Sequence, residues 1–295
     1  MRYLITGGNG TIGFALAKAL AISVPTENVM ITYLSRKPPQ NIVEAKELDI
    51  RDRDATIALI KSFKPDVVMH SAAITNVDLC ETDHAPADAV NVQGTANVLE
   101  GCKSVGCKIV YISTVAVFDG AKSVYAEEDT PNPINYNGFT KFKSEELCRA
   151  YARHLIVRTD QPYGLVEQWH KKNTVLRVVE KVRAGESVRE PTDWYNMPTY
   201  IPDLVNAIAK LLEGNATGTY HVVGPDFLNR YEWALRVARA FALDETKIVP
   251  ITSEEFKLPA KRQRVRLSID KITKLGIKMR GVEDGAREMK KLLES

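Results

Sequence analysis

Tyr3-Leu4-Ile5-Thr6-Gly7-Gly8-Asn9-Gly10-Thr11-Ile12-Gly13 decides the fold. Four strand-forming residues run into a glycine cluster, and a segment of helical period follows from Thr11 to Ile22. Gly7 permits a tight turn, Gly10 lets backbone approach a pyrophosphate, and Gly13 lets helix and strand pack closely. The free N–H groups and dipole at the helix start favour an anion. Gly7, Asn9, Gly10, Thr11 and Ile12 are therefore candidate dinucleotide-binding residues.

Outward from this turn, short apolar runs alternate with longer helical segments. Strands are expected near Tyr3–Thr6, Val29–Tyr33, Glu47–Asp49, Val67–Ser71, Lys108–Ser113 and Leu155–Arg158, with helices near Thr11–Ile22, Asp54–Phe63, Pro86–Val105 and Gly138–Arg153. Strand–helix alternation of this kind predicts an α/β fold, a Rossmann-type doubly wound parallel sheet. Beyond Arg158 prolines punctuate shorter pieces, so a small C-terminal α+β substrate cap is expected. The division is residues 1–160 for the dinucleotide-binding domain and 161–295 mainly for the cap, with a segment near 200–224 returning to the core. Within the cap, Asp203–Glu213, Tyr231–Ala242 and Val282–Leu293 read as helices and Gly218–Val223 as a strand.

A chain of 295 residues with 40 Lys plus Arg against 37 Asp plus Glu carries a formal charge of only +3, which does not point to nucleic acid. No apolar run approaches the roughly 20 residues of a membrane span, and no secretion signal is read at the start. Cys80, Cys102, Cys107 and Cys148 lack zinc-site spacing and are expected as reduced, mostly buried thiols of a cytoplasmic protein. The histidines share no metal-ligand spacing, so no metal is expected, and His70 at a strand end reads as a hydrogen-bonded structural residue. The basic run Lys261–Arg266 reads as a solvated edge, with contact to a nucleotide diphosphate as the functional alternative.

The G-x-x-G-x-x-G spacing resembles the extended short-chain dehydrogenase/reductase family, as do Pro65–Asp78 and Ala87–Thr95. Ile112-Ser113-Thr114-Val115-Ala116-Val117-Phe118-Asp119-Gly120, with its V-F-D-G ending, is most similar to the dTDP-4-dehydrorhamnose reductase branch. The likeness covers roughly residues 1–165, with a weaker P-T-Y-x-x-D match at Pro198–Asp203. It implies a nicotinamide dinucleotide flanked by Asp49 and Ile50 at the adenine, with Ser71, Ala72, Ala73, Asn91 and Lys141 also contributing. The end of the second strand, Tyr33-Leu34-Ser35-Arg36-Lys37, bears no acid for a ribose 2′-hydroxyl. Ser35 and Arg36 suit a 2′-phosphate instead, which favours NADP(H) over NAD(H).

The resemblance further implies a hydroxyl that binds the carbonyl oxygen, a Tyr that delivers the proton, and a Lys four residues later. Thr114 and Lys141 match the first and last, but Asn137 stands where the family has Tyr. An amide donates hydrogen bonds yet does not cycle as an acid near neutral pH. Tyr136 is adjacent, but one helical step rotates it by about 100°. An introduced substitution, a natural variant with another proton source, and loss of turnover all remain open at this point. The implied activity is NAD(P)H-dependent reduction of a 4-keto nucleotide-linked deoxysugar. The alternatives are a nucleotide-sugar epimerase or dehydratase, or a catalytically silent NAD(P)-binding regulatory subunit, as a homodimer or with a protein partner. Thr75, Val117, Tyr163 and Trp194 are the expected substrate contacts. Arg158–Gly164 resembles R-T-S-W-x-Y-G, with Asp160 and Gln161 replacing Ser-Trp.

Overall fold

The computed structural model describes residues 1–38 and 42–294. Its first half runs β1 (Tyr3–Thr6), α1 (Thr11–Ser23), β2 (Val29–Tyr33), β3 (Glu44–Glu47), α2 (Arg53–Phe63) and β4 (Val67–His70). Next come α3 (Val77–Thr82), α4 (His84–Ala87), a π-helical turn at Asp88–Gln93, α5 (Gly94–Val105), β5 (Lys108–Thr114), α6 (Tyr136–Arg149) and β6 (His154–Thr159). The strand Gly218–His221 joins these six in one sheet, in the order Gly218–His221, β6, β5, β4, β1, β2, β3. Every pairing in it is parallel.

Alternation along the strands assigns the two faces. Ile5, Ile31 and Val110 point to one core with Leu16 and Ala17 of α1 and Leu204 and Ile208 of the helix Ile201–Glu213. Leu4, Met30 and Ile109 point to the other, with Ile60 of α2, Val98 of α5 and Cys148 of α6. A separate cap core gathers Trp233, Tyr163, Tyr200 and Val179. The carboxyl ends of β1 and β4 flank the point where strand order reverses, the usual ligand crevice of a doubly wound sheet.

Several boundaries differ from expectation. The third strand is Glu44–Glu47, ahead of the expected Glu47–Asp49, because pairing with β2 ends where Leu48 and Ile50 turn into the core. The helix expected over Pro86–Val105 is broken by the π turn, which sets Asn91 and Thr95 inward. The helix expected at Gly138–Arg153 starts at Tyr136, capped by the Asn135 side chain, and ends at Arg149. The cap also contains the helix Thr174–Arg183 and the parallel pair Val188–Pro191 with Ile248–Ile251, beyond the elements expected there. The buried Val175, Val178, Val179 and Val182 carry the helix's signal, at i, i+3, i+4 and i+7.

The buried face of α6 is polar: Asn137, Thr140, Lys141, Ser144 and Glu145 all turn inward. Such a face is tolerable only if its groups are hydrogen-bonded. Ser144 Oγ donates to the Asn91 carbonyl at 2.6 Å, and Ser113 Oγ of β5 donates to Glu145 Oε1 at 2.6 Å. Arg158 of β6, fully buried, donates to both oxygens of the same carboxylate, at 2.9 and 2.7 Å. Arg158→Met leaves a buried carboxylate short of its partner and is expected to cost about 3–5 kcal/mol in urea unfolding. The double variant with Glu145→Leu is expected to lose less than Arg158→Met alone; an equal or larger loss would contradict this account.

Candidate active site

The carboxyl ends of β1, β4, β5 and β6 open onto a cleft of about 450 Å³. Its floor is the glycine turn. Gly7 has φ +67°, and a Cβ there would lie 2.7 Å from the Ala72 backbone. A Cβ on Gly13 would lie 2.4 Å from the Gly7 carbonyl oxygen. Gly10 caps α1 with no side-chain bond, and the first turn holds no acid, so the helix-start N–H groups are uncovered. This cradle of backbone donors without side chains fits a dinucleotide pyrophosphate.

The expected dinucleotide residues divide into those that face the cleft and those that support it. Gly10, Thr11, Ile12, Ser71 and Ala73 line it. Ser71 Oγ also donates to the Thr6 carbonyl at 2.7 Å, holding the two strand ends together. Asn9 Nδ2 donates to the Arg36 carbonyl at 2.7 Å, tying the glycine turn to the β2 exit, where Ser35 and Arg36 are exposed. Asn91 is buried and fully engaged: Ile74 N–H donates to its Oδ1 at 2.8 Å, while its Nδ2 reaches the Ile74 carbonyl and Thr140 Oγ1. It shapes the loop after β4 from behind. Asp49 is paired with Arg51, which holds its carboxyl below the usual range, and Ile50 is buried against Gly94.

Thr114, Asn137 and Lys141 meet on one wall of the cleft. Thr114 Oγ1 accepts from Ala116 N–H at 3.2 Å, so its own O–H is left to donate. Lys141 Nζ donates to the Ile112 carbonyl at 2.6 Å and lies 4.1 Å from the Tyr111 ring centre. Burial lowers the Lys141 ammonium to about 8, against an opposing pull from Glu145. Asn137 Nδ2 donates to the Ile74 carbonyl at 3.1 Å. Tyr136 turns away: its hydroxyl donates to Asp88 Oδ2 at 2.7 Å, and its ring stacks on His84 at 3.5 Å. The Asp88 hydrogen bond, with some burial, pushes this phenol up to about 12. His70 lies between Thr6 Oγ1 and Thr95 Oγ1, at 2.6 and 2.9 Å, and burial holds it neutral with a pKa of about 3.

Of the expected substrate contacts, Thr75 and Trp194 line the cleft. Val117 and Tyr163 do not face it and are fully buried, Val117 beside Phe118 and Met197, Tyr163 beside Tyr200 and Trp233. The cap wall is built instead from Asp160, Gln161, Asn196, Arg262 and Gln263. Arg262 corrects the reading of the basic run as a solvated edge. Its Nη2 donates to Asp78 Oδ2 at 2.6 Å, and its guanidinium lies 4.9 Å from the Trp194 ring centre. Val265 and Leu267, interleaved with the arginines, are buried and draw this segment onto the protein. That alternation was the available signal. The Asn135 amide, whose oxygen caps α6, donates through Nδ2 to the Lys261 carbonyl and Gln263 Oε1, at 3.1 and 3.2 Å. All four cysteines are free and buried, and among the described residues no cluster of metal-ligating side chains occurs.

The RmlD substrate binding domain model matches residues 1–294. The chain belongs to this family. A methionine adenosyltransferase 2 subunit beta from Xenopus tropicalis is 30% identical over 286 residues, covering 95% of this chain and 84% of that protein. A hypothetical dTDP-4-dehydrorhamnose reductase from Sulfolobus tokodaii superposes with TM-score 0.82 at 31% identity, covering 93% of this chain and 94% of the other. The Bacillus anthracis dTDP-4-dehydrorhamnose reductase in complex with NADP gives TM-score 0.84 at 27% identity, covering 100% and 99% of the two chains. The family thus places the chain among extended short-chain dehydrogenase/reductase-type folds, with relatives named both as reductases and as a subunit of another enzyme. Within that frame Tyr136 is a surface anchor. Tyr136→Phe is expected to lower unfolding free energy by about 1 kcal/mol in urea unfolding, through loss of the hydrogen bond to Asp88; an unchanged midpoint would count against this placement.

Proposed function

We propose that the chain is an NADP(H)-dependent reductase of a 4-keto nucleotide-linked deoxysugar. The observation that carries this reading is the convergence of Thr114, Asn137 and Lys141 on the cleft floored by the glycine turn. The α1 start would hold the pyrophosphate, Ser35 and Arg36 the 2′-phosphate, and Lys141 the nicotinamide ribose. When bound, the reduced dinucleotide supplies a hydride. Thr114 O–H polarises the substrate carbonyl by donating to its oxygen, and protonated Lys141 adds positive charge to that wall. Thr75 and Trp194 would contact the sugar nucleotide, the Trp194 ring being held by the Arg230 and Arg262 guanidiniums at 4.7 and 4.9 Å from its centre. Buried, reduced cysteines are in keeping with a cytoplasmic setting.

The second reading is a dinucleotide-binding regulatory subunit acting through a protein partner. It is favoured by Asn137 at the acid's position and by the likeness to methionine adenosyltransferase 2 subunit beta. NADPH consumption with dTDP-4-dehydrorhamnose separates the two. Turnover by the chain is expected, and Asn137→Tyr is expected to raise it about 10²-fold at pH 8 by restoring a tunable phenol beside Lys141. Retained NADP binding without turnover by either protein would overturn the reductase reading. Arg36→Ala is expected to weaken NADP binding about 10-fold and leave NAD binding unchanged. Equal effects on both dinucleotides in calorimetry would remove Arg36 from the 2′-phosphate site.

A further inference from the structure

We propose that Asp160 holds the proton that Asn137 cannot supply, and delivers it as a carboxylic acid to the substrate oxygen in the cleft. The inference rests on the reductase reading above. Its geometry begins in the sheet. Thr114 at the end of β5 is in register with Thr159 at the end of β6, so the two backbones run about 4.8 Å apart. Asp160 is the next residue, and it lines the same cleft as Thr114 and Asn137. The expected carbonyl-binding hydroxyl and this carboxyl therefore belong to adjacent strand ends.

The surroundings of Asp160 suit a carboxyl that changes protonation. Its residue is only 8% exposed. Met197 N–H donates to Oδ2 at 2.7 Å, and Asn196 Nδ2 approaches the same oxygen at 3.4 Å. Among the described residues no cation forms an ion pair with it. Arg230, on the helix Arg230–Phe241, is the nearby charge that favours the carboxylate, and that guanidinium is itself engaged with Glu190 at 3.3 Å. Lys141 from α6 and Arg262 from the Lys261–Arg266 segment are the other charged groups lining the cleft. Burial prevails over these pulls and lifts the Asp160 carboxyl to about 6. The flanking Thr159 Oγ1 and Asn196 Oδ1, in residues each 5% exposed, have no hydrogen-bond partner among the described residues. Both residues line the cleft, although these two atoms lie buried behind its surface.

The proton balance is direct. As hydride reaches the carbonyl carbon, the π pair moves to oxygen, and the Asp160 O–H bond breaks while a new O–H bond forms on the substrate. Asp160 is left as a carboxylate, still accepting from Met197 N–H, and regains its proton from solvent. Reduction needs the protonated form, so its rate falls as pH rises through the Asp160 pKa. Alcohol oxidation needs the carboxylate and shows the mirror-image rise.

Two measurements test this. The first is a ¹³C-carboxyl titration of the full chain, with the Asp160 resonance assigned by its loss in Asp160→Asn. A midpoint near 6 is expected; a midpoint in the ordinary range, about 4, overturns the inference whatever the turnover. The second is the pH profile of NADPH consumption with dTDP-4-dehydrorhamnose in the chain, Asp160→Asn, Asn137→Tyr and the double variant. Asp160→Asn is expected to lose at least about 10²-fold and the alkaline fall in rate, yet to cost under about 10-fold beside Tyr at 137, which supplies its own proton. An equal loss in both backgrounds assigns Asp160 a structural role and overturns the inference, with thermal melting and NADP affinity reporting whether the fold survives. If Asp160→Asn keeps both rate and pH profile, the inference falls while the reductase reading stands. If only Asn137→Tyr turns over, the inference falls while the reductase reading stands; if neither the chain nor Asn137→Tyr turns over any keto sugar yet both bind NADP, both fall together.

Discussion

The Glu145 carboxylate is the constraint on which the rest of the structure depends. It receives Ser113 from β5 and Arg158 from β6, and Arg149 of its own helix pairs with it as well. Asn137, Lys141 and Glu145 follow at i, i+4 and i+8, so fixing Glu145 sets the rotation of α6 and hence which side chains meet the cleft. A slip of one residue would bring Tyr136 toward the cleft and take Asn137 out of it. The paired charges and the Ser113 hydrogen bond thus act as a registration device. Ile112, whose carbonyl accepts from Lys141, lies beside Ser113 on the same strand, so helix and strand are joined at two successive residues.

Much of the parallel sheet was legible because buried parallel strands read as short apolar runs set between amphipathic helices. The glycine turn was legible for a different reason: its backbone geometry leaves no room for side chains at Gly7 and Gly13. Less of the cap could be read. Its strands Pro162–Tyr163, Tyr195–Asn196 and Thr199–Tyr200 are two residues long, too short to establish a period. The cap wall of the cleft was harder still, since Asp160, Asn196 and Arg262 lie far apart in sequence and converge only through tertiary packing. Val117 and Tyr163 show the converse. They sit within segments that resemble the family's substrate-facing motifs, but here their side chains fill cores.

The same contrast bears on the proposed roles of positions 137 and 160. A Rossmann core can keep its sheet, glycine turn and Lys141 while the group that handles the proton changes, because cofactor cradle and proton chemistry draw on different parts of the chain. The former is backbone geometry at β1 and α1. The latter depends on side chains whose properties are set by their surroundings, by a hydrogen bond to Asp88 at Tyr136 and by burial at Asp160.

Asn135 has two hands. One caps the helix that carries Asn137 and Lys141, and the other grips the segment that brings Arg262 and Gln263 to the cleft. Swinging that strap outward to admit a bulky ligand would therefore tug on the first turn of α6. Cleft opening and helix fraying become mechanically geared, so the resting enclosure is also the arrangement in which the helix start is most firmly held.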